Sequence, residues 1–213
     1  MHFISEELEQ YIEKHSANEP ELLQQLNKET YQKILQPRML SGHFQGRVLS
    51  MLSKIINPKH ILELGTYTGY ATLCLAEGLK SDGTIDTIDI NEELEDIQQK
   101  YFNTSAFKDQ IIQHVGNALD IVPTLNKKFD LVFIDADKEN YINYWNLIVP
   151  MMNKGGIILS DNVLWSGKVL EDVQKNDKST PILLKYNKIV NEDPRVETVL
   201  LPIRDGLTVS RIL

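Results

Sequence analysis

The chain has 213 residues, enough for one sizeable α/β domain, and its 42% apolar and 24% charged residues are the balance of an ordinary globular protein. A net charge of −8, from 30 acidic and 22 basic residues, repels phosphate backbones, so nucleic acid is not expected as a partner. The opening MHFISEELEQ lacks a basic-then-apolar signal pattern and no apolar run nears ~20 residues, so no membrane span is expected and the expected location is cytoplasmic.

In chain order, Ile4, Leu8, Tyr11 and Ile12 recur at helical spacing behind the start signal Ser5-Glu6-Glu7. A second helix is expected after Pro20, with Leu22, Leu23, Leu26 and Tyr31 on one face, and Pro37 and Gly42 break the pattern. A third runs from His43 to Ile56, with Val48, Leu49, Leu52, Ile55 and Ile56 inward, and stops before Pro58. From Lys59, short apolar runs alternate with helical stretches. Strands are expected at HILEL (60–64), TIDTIDI (84–90), QIIQHV (110–115), DLVFID (130–135), GGIILSD (155–161), VETVLL (196–201) and GLTVSRI (206–212). Helices are expected between the first five, at 70–80, 92–106, 118–125 and 138–152. The single cysteine, Cys74, excludes an internal disulfide and reads as a buried structural thiol within ATLCLAEGL.

That alternation predicts a parallel sheet with helices on both faces, joined by right-handed crossovers. The short PIRD loop predicts an antiparallel hairpin for the last two strands. No Pro/Gly/Ser-rich linker and no repeat interrupts the chain. The reading is one domain over 1–213, with a helical extension at 1–57 and an α/β core at 58–213.

In open α/β sheets, ligands sit beyond the carboxyl ends of the strands. The first such end carries Glu63-Leu64-Gly65-Thr66-Tyr67-Thr68-Gly69, where Gly65 and Gly69 permit a tight turn and close backbone approach. This is not the G-x-G-x-x-G fingerprint, because a single glycine, Gly65, precedes the gap, and Glu63 would repel a pyrophosphate. It would not repel a cofactor that carries positive charge and an amino group. Asp89, ending the next strand, can accept both hydroxyls of a ribose. Singly, the glycines could only turn the chain and Asp89 could only cap the helix near Asn91. In register, the strand–loop–helix–strand–acid order favours an adenosyl cofactor without phosphates.

Two later strand ends carry Asp135-Ala136-Asp137-Lys138 and Asp161-Asn162. If the strands are adjacent, Asp135, Asp161 and Asn162 offer one cation three hard oxygen ligands. With no His or Cys in the set, they suit Mg²⁺, Mn²⁺ or Ca²⁺ better than Zn²⁺. The alternative is that these acids cap loops and helices, Asp137 as an N-cap. Repulsion between paired acids favours the cation. Lys138, beside a metal and a cationic cofactor, would lose its proton more easily than a free lysine and is a candidate general base. Otherwise it is a surface lysine paired with Glu139 or Asp137.

With the helical N-terminus, the segments ELGTYTGYATL, IDI, VFIDADKENY, LSDNVLWSG and DGLTVSRI make the chain resemble the cation-dependent O-methyltransferases of the caffeoyl-CoA and catechol type over nearly its whole length. The resemblance implies the Rossmann-like class I methyltransferase fold: a mostly parallel seven-stranded sheet with a C-terminal antiparallel hairpin. It implies S-adenosylmethionine bound by Ser41, Glu63, Gly65, Thr66, Ala71, Asp89, Ala118, Asp135 and Asp137. It further implies a divalent cation, Mg²⁺ ahead of Mn²⁺ or Ca²⁺, on Asp135, Asp161 and Asn162, with Lys138 as the catalytic lysine and a homodimer as the assembly. Ala71 departs from the Ser or Thr frequent in the family, which removes a side-chain hydrogen bond to the cofactor. Ser166 stands where plant acyl-CoA enzymes carry Asn, and their basic N-terminal substrate contact is not evident. Both departures weigh against acyl-CoA acceptors.

The reaction then expected is methylation of a catechol-like small molecule. The cation chelates two vicinal hydroxyls, Lys138 takes a proton, and the oxyanion attacks the sulfonium methyl in line. Trp165, Tyr141 and Tyr144 are candidates for packing against an aromatic ring or for ordinary core contact, and Arg204 for meeting an acidic substrate group. The rivals are the same fold with another acceptor, such as an amine, a nicotinamide-dependent oxidoreductase, and a binding module without catalysis. The missing third glycine opposes the oxidoreductase. A pure binder needs none of Asp135, Lys138, Asp161 and Asn162.

Overall fold

Helices open the chain. The Ser5 hydroxyl accepts the N–H of Leu8 at 3.3 Å and starts α1 (Glu6–Lys14). The computed structural model describes residues 5–213, so Ile4 of the expected first helix lies outside the described residues. Helix α2 (Glu21–Lys33) buries Leu23, Leu26 and Thr30. Tyr31, expected on that face, is exposed instead, because the inner row steps from 23 to 26 to 30.

Helix α3 (Gly42–Ile56) corrects the sequence reading more sharply. Its inner face is Gln45, Gly46, Leu49, Ser50 and Ser53, whereas Ile55 is 72% exposed. The reason is the approach of α4 (Tyr70–Ala76). A Cβ added at Gly46 would stand 2.6 Å from Tyr70 Cε1 and 2.9 Å from Cys74 Sγ. Small residues let the helices meet that closely, with Leu49 fully buried among them as expected, while Ile55 is turned outward and Val48, Leu52 and Ile56 are only partly covered. Ser53 donates its hydroxyl to the Leu75 carbonyl at 2.6 Å across the same contact. Cys74 is buried there, and burial pushes its thiol up to about 12, as befits a structural thiol. Beside it, Glu77 at the end of α4 receives Arg47 at 2.7 Å, Ser50 at 2.7 Å and Lys54 at 2.6 Å.

The residues group into two compact units, one ending at Ala118 and one starting at Leu119. In the first, β1 (His60–Leu64), β2 (Thr84–Asp89) and β3 (Ile111–Val115) pair in parallel with β2 central. Helix α5 (Glu95–Thr104) follows a 3-10 turn at Glu92–Leu94, and α6 (Ala118–Ile121) follows β3. In the second, β4 (Phe129–Ile134) pairs in parallel with β5 (Met152–Asp161), which pairs antiparallel with β7 (Leu207–Ile212). Strand β6 (Val196–Leu201) completes the expected hairpin with β7. Seven strands are thus present among the described residues, each where the alternating pattern placed it. Strand β5 begins at Met152 rather than Gly155. The stretch expected as one helix over 138–152 is a 3-10 turn (Lys138–Asn140), α7 (Tyr141–Ile148) and a second 3-10 turn opened around Pro150, whose missing N–H cannot continue an α-helix.

The sequence reading passed over α8 (Ser179–Glu192). The Asp177 carboxylate starts it by accepting the N–H groups of Ser179 and Thr180 at 3.0 and 2.9 Å. Leu183, Tyr186 and Val190 are its buried row. Tyr186 packs edge-on to Tyr141 and Trp145, with ring centroids 5.2 and 6.0 Å apart. Among the described residues no helix is long and apolar enough to cross a membrane.

Two outcomes are expected. Gly46→Ala lowers unfolding stability by about 1–3 kcal/mol in urea titrations, because neither Tyr70 nor Cys74 can retreat without moving α4. Burial alone would raise the Glu77 carboxyl, but its bonds to Arg47, Lys54 and Ser50 outweigh burial and hold it down from 4.5 to about 2. A depressed carboxyl stabilises the fold above its unfolded value, and that stability is lost as pH falls towards the folded value. The unfolding midpoint therefore drops between pH 4.5 and about 2, and Glu77→Gln flattens that part of the profile.

Candidate active site

The first unit builds a cradle at the end of β1. Strand β1 continues into the loop because Gly65 donates its N–H to the Ile88 carbonyl of β2 at 2.9 Å. The loop then turns through left-handed backbone at Gly65, Tyr67 and Gly69. At Gly69 a side chain is excluded twice over: φ is +89°, and a Cβ would lie 2.5 Å from Phe102 Cε1. Glu63 is fully buried beneath the loop. Its Oε2 accepts the hydroxyls of Thr72 and, at 2.5 Å, Thr87, and the Thr87 and Thr66 hydroxyls are also 2.5 Å apart.

Asp89 ends β2 beside this loop. Its Oδ2 accepts the Tyr67 N–H at 2.7 Å and its Oδ1 accepts the Asn91 N–H at 2.9 Å. One backbone donor per oxygen holds the carboxylate in place and leaves each oxygen a further lone pair for a diol. Gln98 donates to the Tyr67 carbonyl at 2.5 Å and closes the loop from α5. Tyr67, Thr72, Thr87 and Gln98 escaped the sequence reading, since none belongs to a short-range pattern. Of the other residues expected here, Ser41 and Ala118 stand nearly buried at the starts of α3 and α6, and Ala71 lies in the first turn of α4. A left-handed glycine turn beside an anchored acid, with a buried Glu instead of phosphate donors, fits an adenosyl group carrying no phosphate.

The second unit builds the acidic cluster. Ile134 of β4 and Ser160 of β5 are register partners. Asp135 and Asp161, each the next residue, therefore leave neighbouring strands about 4.8 Å apart side by side. Asp161 is 2% exposed, and its Oδ1 accepts the Asn162 N–H at 2.8 Å. Asn162 takes a left-handed φ of +58°, which turns the chain away immediately beyond the strand.

Lys138 is buried, not a surface lysine. Its Nζ lies 3.3 Å from Asp135 Oδ1 and donates to the Tyr141 hydroxyl at 2.5 Å. The Tyr141 hydroxyl is shared between the Asp161 carbonyl at 2.8 Å and the Ile134 carbonyl at 3.2 Å, the last residues of both strands. Burial first, and then the charges of Asp135, Asp161 and Asp137, push the Tyr141 phenol far above its ordinary value. Three carboxylates thus surround a region with one buried ammonium. Among the described residues no three His, Cys, Asp or Glu side chains form a ready metal cage. The set on offer is two carboxylates and the Asn162 amide. That donor set fits a hard cation that keeps part of its shell for water or substrate, and the surplus negative charge favours one.

The structure decides several readings that the sequence left open. Tyr141 and Tyr144 are buried, with their hydroxyls committed, so neither is available to face an aromatic substrate. Asp137 occupies an N-cap position but makes no cap bond. It accepts instead from the Tyr144 hydroxyl and, at 2.7 Å, from Asn140. Trp165 is only half-buried and lines a cavity of about 490 Å³ with Glu139, Lys168 and Thr180.

Tyr141→Phe should lower stability by about 1–3 kcal/mol in urea unfolding, because it leaves a buried carbonyl and the Lys138 ammonium short of a partner.

Residues 13–213 match the family model described as O-methyltransferase. The chain is 36% identical over 220 residues to a caffeoyl-CoA O-methyltransferase of Nicotiana tabacum, covering 97% of this chain and 91% of that one. It is 27% identical to an O-methyltransferase of Bacillus cereus solved in complex with S-adenosylhomocysteine, with a TM-score of 0.89 and 97% of each chain covered. An O-methyltransferase of Streptomyces achromogenes involved in tomaymycin synthesis, solved in complex with S-adenosylmethionine, is 25% identical with a TM-score of 0.87, over 97% of this chain and 96% of that one. The fold is the class I methyltransferase fold that the sequence led us to expect.

Proposed function

We propose that this chain, which belongs to the O-methyltransferase family, transfers a methyl group from S-adenosylmethionine to a hydroxyl of a small vicinal dihydroxyphenyl compound with the aid of a divalent cation. The observation that carries the reading is the buried Lys138 held between Asp135 and the Tyr141 hydroxyl, directly behind two adjacent acidic strand ends. A binding module gains nothing from burying such a lysine.

In this reading Asp89 takes the ribose hydroxyls, and Gly65 and Thr66 line the backbone approach to the cofactor. Glu63 holds the loop through Thr72 and Thr87 as well as favouring a positively charged ligand. Ser41, Ala71, Ala118, Asp135 and Asp137 are assigned to the same cofactor by the family resemblance alone. S-adenosylmethionine, when bound, would supply an electrophilic sulfonium methyl whose transfer leaves a neutral thioether. Asp135, Asp161 and Asn162 would hold the cation, most simply Mg²⁺. When bound, the cation supplies Lewis acidity that makes an acceptor hydroxyl easier to ionise. Lys138, as the free amine, accepts that proton at Nζ. Tyr141 keeps Nζ in place without exchanging protons itself, because its phenol is held far from ionisation. Positioning by these residues then accounts for much of the rate.

The same reading includes a homodimer working in the cytoplasm. Leu35, Met39, Met51 and Ile55 of the first unit are exposed apolar side chains of the kind a second copy would cover.

Methyl transfer to a dihydroxyphenyl compound should stop in excess EDTA and return with Mg²⁺; activity that survives full chelation removes the cation from the reaction. Asp161→Ala should abolish turnover yet leave cofactor affinity near wild type by calorimetry, whereas Asp89→Ala should weaken cofactor binding. Lys138→Met should slow turnover about 100- to 10,000-fold with the cofactor still bound.

A further inference from the structure

After the proposed ligand Asn162, the chain makes an unusual turn. Trp165, Ser166 and Gly167 are three successive residues with left-handed backbone, φ +48°, +54° and +83°. Two of the three carry a Cβ that disfavours this region, so the turn persists only if its surroundings hold it. The hairpin loop between β6 and β7 does the holding. Val163 donates its N–H to the Gly206 carbonyl at 3.2 Å and Leu164 to the Asp205 carbonyl at 2.9 Å. The Ser166 N–H donates to the Asp205 carboxylate at Oδ1. The two loops are pressed together so tightly that a Cβ at Gly206 would stand 2.5 Å from Leu164 Cγ.

Held in this way, Trp165 forms a wall of the 490 Å³ cavity that also includes Glu139, the neighbour of Lys138. The Trp165 indole N–H is buried without a hydrogen-bond partner, and Lys168 Nζ lies 5.9 Å from the ring centroid.

We propose that Asp205 is a positioning residue for the methyl acceptor: its carboxylate locks the left-handed Trp165–Gly167 turn, which follows the proposed ligand Asn162 by three residues and sets the Trp165 ring in the wall of this cavity. The acceptor role rests on the function proposed above, while the lock itself does not. Asp205→Ala removes only the side-chain bond, because the backbone bonds of Asp205 and Gly206 remain. Asp205→Asn keeps an acceptor oxygen at the same place.

The test joins steady-state kinetics with catechol as acceptor to acrylamide quenching. Trp145, the other tryptophan, is fully buried, so quenching reports Trp165. Asp205→Ala should increase quenching and raise the catechol KM about tenfold, with kcat and the S-adenosylmethionine KM within about twofold of wild type. Asp205→Asn should restore both readouts. Unchanged quenching in Asp205→Ala overturns the lock. Changed quenching with an unchanged catechol KM, or an Asn variant as impaired as the Ala variant, overturns the positioning role. A wild-type chain that methylates no catechol sinks the function proposal and the acceptor role with it, while the quenching comparison still decides the lock.

Discussion

One hydroxyl ties the acidic centre together. Tyr141, at the start of α7, reaches back to the carbonyls of Ile134 and Asp161, where β4 and β5 both end, and receives the Lys138 ammonium. Register alone sets Asp135 beside Asp161. The tyrosine fixes how the chain leaves both strands and where the lysine stops. An unpaired ammonium beside buried acids would find its own partner. Here the partner is prescribed, so Nζ is held instead of swinging to solvent.

The cofactor cradle in the first unit follows the same economy with different parts. A buried glutamate, two threonine hydroxyls and an aspartate bonded to loop N–H groups hold a turn whose backbone few residues could adopt. In the same unit, α4 packs against α3 at close range through glycine and serine. In both units the carboxylates proposed to meet ligands, Asp89, Asp135 and Asp161, stand at strand ends, where the backbone leaves the ladder. The rigid parts are the strands and buried hydroxyls, and the adjustable parts are the loops that follow them.

Much of this was legible in the chain itself. All seven strands lie where apolar runs and turn residues placed them, since period and length are local properties. The hairpin was readable from its short loop. Gly65, Asp89, Asp135, Lys138 and Asp161 stood out because they are odd residues at strand ends. The failures have separate causes. Tyr31 and Ile55 were assigned inward because helix periodicity cannot say which of two rows meets a neighbour. Helix α8 was missed although Leu183, Tyr186 and Val190 mark it, because its outer face and the preceding polar stretch read as loop. Tyr141 and Tyr144 stayed open between substrate and core contact because an aromatic beside a motif shows no burial in the sequence.

The sequence by itself determined the order of elements, the strand ends and the residue types gathered there, because these depend on neighbours along the chain. Tertiary structure alone decided that Lys138 is buried and bonded to Tyr141, that Glu63 lies beneath the loop on threonine hydroxyls, and that Asp205 reaches the Ser166 N–H. Each of these contacts joins side chains or backbone whose meeting depends on strand register, helix approach or a hairpin folding back. Those are set by packing over long stretches of chain, which no local pattern encodes.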